Sequence, residues 1–249
     1  MDISLGPELL AYIGSFPITN TFVVTIFLSV CILFGSYLLQ KNMKTVPGMF
    51  QNIAEVAVEF LFNMVESVTH DRKQTKKFFP IVATIFITVI FANWVELIPG
   101  LGTVGVYAIH EGKETLIPFL RSSSADLNMT LAIALISVGS TQFFGITSIG
   151  IVKYAKKFFV SPFKKPYGIG TFVGVLELIS EVSKILSFSF RLFGNIFAGE
   201  VLLLVVLMLV PYIAPVPFLA LEVFVGFIQA LVFAMLTLVF MKIATMETH

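Results

Sequence analysis

The sequence predicts an all-α integral membrane protein: three transmembrane spans, an amphipathic helix at the membrane surface, and a long, steeply tilted C-terminal helical hairpin. Three observations lead there. The 249 residues are 57% hydrophobic and only 12% charged, about half the 25% charge of an ordinary soluble domain. Five stretches are too long and too apolar to be buried in a core of this size. The basic residues fall almost entirely on one side of the topology that these stretches define.

The chain divides by helix, so residues 1–249 form one membrane domain. Residues 1–20 carry Asp2 and Glu8 but no Lys or Arg, and the apolar run begins only after them. They are expected to be an outer N-terminal segment and not a cleaved signal. Residues 21–39 are uncharged and long enough to cross a hydrocarbon core at about 20 residues. Residues 49–68 differ: Glu55, Glu59, Asn63 and Glu66 recur at helical spacing between apolar residues, the pattern of an amphipathic surface helix. A second span covers 78–98 and closes at Pro99-Gly100. Residues 101–126 read as a mixed-charge loop, with Asp126 as the N-cap of the third span, 127–151. A lysine-rich linker with Pro162 and Pro166 leads to two helical runs, 169–210 and 217–246, parted by the turn Pro211–Pro217. At 1.5 Å per residue the first run is about 60 Å long, roughly twice the hydrocarbon thickness. A single helix of that length must slant.

Twelve cations share one side: Lys41, Lys44, Arg72, Lys73, Lys76, Lys77, Lys153, Lys156, Lys157, Lys164, Lys165 and Lys242. Lys113 and Arg121 take the other. The positive-inside rule puts the N-terminus outside and the C-terminus in the cytoplasm. Lys184 and Arg191 remain, and both lie within the hairpin.

On the first hairpin helix Glu177, Glu181, Lys184, Arg191 and Asn195 follow spacings of four, three, seven and four. At 100° per residue they stay within about 80° of one another, with Ser187 beside them. Glu200 falls on the far side of the helix, nearer the outside. The returning helix contributes Glu222 and, two turns on, Gln229. An antiparallel hairpin brings Glu200 and Glu222 to similar depth and carries Gln229 towards the depth of Arg191. Bland readings stand beside the functional ones: Lys184 with Glu181 or Glu177 as a snorkelling ion pair, Gln229 as interhelical glue, Glu222 as an interfacial acid. Arg191 resists such a reading. An arginine at bilayer depth costs at least about 2.5 kcal/mol, and it cannot shed its charge.

The net charge of +1 gives no electrostatic case for nucleic acid. The lone Cys31 sits in an apolar run, and His110 and His249 are isolated, so no metal cluster is expected. Glu96, beside Asn93 and Trp94, reads as interfacial. With no phosphate-binding Gly loop and no nucleophile constellation, the chain is expected to hold no cofactor and to be no enzyme on its own.

The run Ser189-Phe190-Arg191-Leu192-Phe193-Gly194-Asn195-Ile196-Phe197-Ala198-Gly199-Glu200 resembles the signature of the F-type ATP synthase subunit a family. Ser124-Ala125-Asp126-Leu127-Asn128-Met129-Thr130 before a span and Gln229-Ala230-Leu231-Val232-Phe233 in the last helix resemble it further, and the order of elements matches over nearly the whole chain. The Glu222 position is a departure, since some relatives hold histidine there. The resemblance implies a stator subunit in a bacterial cytoplasmic membrane, with the mitochondrial inner membrane as the alternative. Its partners would be a ring of c subunits, peripheral-stalk b subunits and the rest of the complex. Arg191 would face the ring carboxylate and separate two offset half-channels. Glu200, Glu222, Asn195 and Gln229 would line the inward path, and Glu177, Glu181, Lys184 and Ser187 the exit. Two competing readings explain less. A self-contained ion channel or secondary transporter would more often show repeated halves with broken helices, and a purely structural anchor leaves Arg191 without a reason.

Overall fold

The structure is a computed structural model that describes residues 6–95, 97–98, 105–110, 113–118, 121–158, 169–211 and 213–246. Seven α-helices carry the fold among the described residues: α1 Asn20–Lys41, α2 Met49–Thr69, α3 Arg72–Val95, α4 Leu127–Ile149, α5 Ile151–Phe158, α6 Ile169–Leu209 and α7 Pro215–Thr245. Five of them, α1, α3, α4, α6 and α7, are long and apolar enough to cross a membrane. The protein is an all-α membrane protein.

Local chemistry sets the helix ends. Thr19 opens α1 by accepting a hydrogen bond from the Phe22 N–H on its hydroxyl. The α2 helix buries Leu61, Val65 and Thr69 from its second half only and stops at His70, which adopts the left-handed conformation at φ 54°. Asp71 then accepts from the Lys73 N–H at 3.0 Å and starts α3. The helix therefore begins six residues before the apolar run at 78, because the cap precedes that run. Pro80 lies inside α3. It lacks an N–H to return to the preceding turn, a loss that membrane helices tolerate when neighbours pack closely. Asp126 caps α4 through the Asn128 N–H and also accepts from the Thr21 hydroxyl at 2.8 Å, which ties α1 to α4.

Two further starts and stops depend on Gly and Pro. Gly150, at φ +91°, ends α4 and lets α5 leave in a new direction. Pro215 is the first residue of α7, two positions ahead of the expected start, since the first helical residue needs no N–H partner. Two antiparallel hairpins lie in the outer N-terminal segment and in the expected mixed-charge loop: β1 Leu9–Ile13 with β2 Phe16–Thr19, and β3 Gly105–His110 with β4 Lys113–Pro118. Glu96, Lys164, Lys165 and His249 lie outside the described residues.

The core forms where α7 packs against α3 and α4, and where α6 packs against α4. Phe78, Val89, Leu192, Phe233, Leu238 and Met241 are buried there. Phe188 packs at tilted angles against Phe233 and Phe240, with ring centroids 4.9 Å and 5.7 Å away. Small polar side chains bridge the helices: Ser137 to Thr237 at 2.7 Å and Thr130 to Ser189 at 3.1 Å. Each such bond contributes about 0.6 kcal/mol in a membrane setting. By contrast α1 lies at the edge, with only Val24 and Leu28 among its large apolar side chains buried. The α6 helix is 41 residues long and unbroken, about 60 Å at its rise.

Candidate functional site

The polar residues of α6 and α7 fall into three groups along the hairpin, and the register of the two helices sets which can meet. At the end near the α6–α7 turn, Glu222 packs its carboxylate onto Gly199, where a Cβ would run into it. Any side chain at position 199 would oblige that carboxylate to move. Neighbouring Glu200 points elsewhere. Its carboxylate takes a two-point ion pair from Arg121, Nε to Oε1 at 3.1 Å and Nη2 to Oε2 at 3.0 Å. The two carboxylates that helical depth places side by side thus have different neighbours.

About one turn deeper on α6 and two on α7, Asn195 donates from Nδ2 to Gln229 Oε1 at 2.8 Å. Gln229 is buried, and its own Nε2 has no hydrogen-bond partner among the described residues; the same holds for Asn93 Oδ1, Ser123 Oγ and Ser124 Oγ. Asn93 reaches α7 by donating to Gly226 O at 3.1 Å, and Trp94 by donating to Val223 O at 3.1 Å. Ser123 and Ser124 belong to a 3-10 turn, Ser123–Ala125, that packs on α6.

Arg191 is one turn further along α6. Its Nη2 donates to Ser187 Oγ at 3.3 Å, and its guanidinium lies 5.7 Å from the Phe188 ring centre. No carboxylate pairs with it among the described residues. The surrounding face is uncovered: Ser183, Ser187, Gly194 and Ala198 are exposed and lie within about 80° of Arg191 around the helix. A Cβ at Gly194 would meet nothing within 4 Å. The charge therefore sits on a smooth, small-residue strip open to a neighbour.

Towards the start of α6, Lys184 pairs with Glu181 at 2.7 Å and lies 4.8 Å from the Phe240 ring centre. Glu181 Oε2 is buried with no hydrogen-bond partner among the described residues. Glu177 is one turn earlier and half-buried. Tyr154 of α5 closes this end: it is buried, covers Gly145, and donates to Gln142 Oε1 at 2.6 Å. Burial, then the nearby charges of Glu181 and Glu177, push its phenol up to about 12.

Among the expected hairpin residues, Asn195 meets Gln229, Arg191 meets Ser187 and Lys184 meets Glu181, Glu222 lies at the level of Glu200, and Glu177 lies one turn before Glu181. Arg121, Ser123, Ser124 and Tyr154 join the site without a spacing that singles them out in the sequence, where Arg121 is marked only as one of two cations on the outer side. Among the described residues no cluster of His, Cys, Asp or Glu has the makings of a metal site.

A family model described as ATP synthase A chain matches residues 14–242. Among relatives, ATP synthase subunit a of Campylobacter jejuni strain 81-176 is 36% identical over 205 residues, 82% of this chain and 80% of that protein. The ATP synthase subunit a of Moorella thermoacetica is 29% identical and covers 94% of both chains. That of Gloeobacter violaceus is 33% identical over 94% of this chain and 87% of its own.

Proposed function

This chain belongs to the ATP synthase A chain family, a membrane subunit of the F-type ATP synthase that serves proton transport, and from that premise we propose that it is the stator half of the proton-driven rotary motor. Protons pass to and from a ring of c subunits through two half-channels that do not connect. The peripheral-stalk b subunits hold the stator, the membrane is the bacterial cytoplasmic one, and the N-terminus faces outside. The chain binds no nucleotide and is no enzyme by itself.

The carrying observation is Arg191, a fixed charge with no carboxylate partner among the described residues, on the open small-residue strip of α6. A charge that cannot be neutralised needs a counter-ion from outside the chain, and a carboxylate on a passing ring subunit supplies one. Arg191 favours the ionised carboxylate at closest approach, and its positive charge repels a proton moving directly between the half-channels. Ser187 orients the guanidinium from one turn away.

The outer half-channel runs from Glu200 and Glu222 to Asn195 and Gln229. The unpartnered atoms of Asn93, Ser123, Ser124 and Gln229 support a hydrated passage there. A buried polar atom left dry costs about 1–3 kcal/mol, and water commonly supplies the missing bond. The exit half-channel runs past Ser187, Lys184, Glu181 and Glu177. Each proton delivers about 2.3 kcal/mol per 100 mV of membrane potential.

The contact with the ring is tested by cross-linking in the whole complex. Cys31 is replaced by serine, and single cysteines at Ser187 and Ala198 are oxidised against cysteines flanking the ring carboxylate. Disulfides from both positions, and none from Val223 on α7, support the reading. No disulfide from either α6 position contradicts it.

A further inference from the structure

Arg121 takes no part in the path described above, yet it makes the two-point ion pair at the outer end of the hairpin. We propose that Arg121 is the positioning residue of the outer half-channel: it fixes Glu200 as a structural anion and leaves Glu222 as the carboxyl that carries the proton. The proposal rests on the half-channel reading above and divides the labour between its two outer acids.

The geometry of Arg121 supports this division. Its Nε and Nη2 engage both oxygens of Glu200, at 3.1 Å and 3.0 Å, and Nη1 donates to Gly6 O at 3.0 Å. The arginine side chain is only 8% exposed and that of Glu200 19%. Fork-to-fork pairing of this kind is strong and directional. It also joins three segments that are distant in sequence: the chain before β1, the segment before the 3-10 turn, and α6. The hairpin next to Gly6 is closed by its own bonds, Glu8 N–H to Asn20 Oδ1 at 3.2 Å and Asn20 N–H to Glu8 O at 3.1 Å. The clasp therefore braces the wall around the outer acids.

A proton carrier has to gain and lose its proton cheaply. Protonating Glu200 would break two charge-assisted bonds and strand a buried guanidinium that cannot lose its own charge. Glu222 bears no such bond: no cation or hydrogen-bond donor holds its carboxylate among the described residues, and it rests on the bare backbone of Gly199. The α7 turn that carries it is nonetheless held in place, since Trp94 and Asn93 bond the carbonyls of Val223 and Gly226. A mobile proton on a fixed scaffold is what a relay requires.

The test is ATP-driven proton pumping in membrane vesicles carrying the whole complex, normalised to the amount assembled. Arg121→Gln leaves the Glu200 carboxylate buried without its partner, and pumping falls about tenfold or more. Adding Glu200→Gln to it removes the stranded charge and restores pumping to within about threefold of the parent. Glu222→Gln falls about tenfold or more, and no change at Arg121 rescues it. The exchanged pair Arg121→Glu with Glu200→Arg gives a second reading, because it keeps the ion pair while leaving no carboxyl at position 200. Pumping by either pair supports the proposal. Absence of pumping from both pairs, parent-like pumping by Arg121→Gln, or parent-like pumping by Glu222→Gln overturns it. The half-channel reading fails separately: Arg191→Ala that still pumps defeats that reading whatever Arg121 does. Loss of pumping in Arg191→Ala with no recovery in either pair defeats only the assignment of Arg121.

Discussion

Asn195 and Gln229 are joined by a 2.8 Å hydrogen bond across the hairpin, one turn of α6 away from Arg191. The bond holds α6 and α7 in register beside the exposed small-residue strip that carries Arg191. It also orients the Gln229 amide, whose Nε2 has no hydrogen-bond partner among the described residues.

Removing this amide should impair transport more than folding. Gln229→Leu loses one interhelical bond, about 0.6 to 2 kcal/mol, and drains the passage of a polar group. Pumping is expected to fall several-fold with assembly unchanged, read from pumping rate against the amount of membrane-bound complex. Parent-like pumping would show that the amide only packs.

Gly199 is the second sensitive position. A Cβ there would run into the Glu222 carboxylate, so Gly199→Ala is expected to push that acid aside and slow pumping. Gly199→Leu is expected to stop it. The contrast is Gly194, where a Cβ meets nothing within this chain. On the proposed contact between this strip and the ring, Gly194→Leu should also slow rotation in the assembled complex. Gly194→Leu tested on the isolated subunit should leave its thermal stability in detergent unchanged.

Lys242 ties the end of α7 to the α2–α3 corner, donating to Thr69 O at 2.7 Å and to Gln74 Oε1 at 2.9 Å. Lys242→Met is expected to cost about 1–2 kcal/mol of stability with little change in pumping per assembled complex. Thermal unfolding in detergent and a pumping assay separate the two effects.

Tyr154 gives a prediction with a defined pH window. Its phenol is pushed up to about 12 from 10.0, by burial first and then by Glu181 and Glu177. A raised pKa means that the folded state favours the neutral phenol. Its contribution to stability is therefore complete below about pH 10 and fades as pH rises towards 12. Parent and Tyr154→Phe should accordingly differ in stability at neutral pH, and the difference should shrink above pH 10. Thermal unfolding at pH 8 and pH 11 checks this. Gly145→Ala, whose Cβ would strike the Tyr154 ring, should displace α5 and mimic the loss.

The membrane class of this fold is legible in the sequence because long apolar runs and one-sided cations are statements about bilayer thermodynamics, and single residues cannot mask them. The depth relation between Glu200 and Glu222 follows from counting back along two antiparallel helices, and Glu222 does lie against Gly199, next to Glu200. Which group each acid meets does not follow from that count. The partner of Glu200 is Arg121, 79 residues earlier, and no periodicity reports on a pair formed through a loop. The hairpins β1–β2 and β3–β4 escaped notice for a related reason. Their strands are only four to six residues long, too short for alternation to stand out from an irregular segment. The early start of α3 depends on Asp71, a cap outside the apolar run that hydropathy weighs.

The account turns on Arg191, and the most direct measurement is proton movement through the whole complex in membrane vesicles, comparing the parent with Arg191→Ala. The expected result has two parts: ATP-driven pumping is lost, and passive proton permeability through the membrane sector rises, since the barrier between the half-channels has gone. Pumping at near-parent levels with no added leak would contradict the account and leave Arg191 a structural charge.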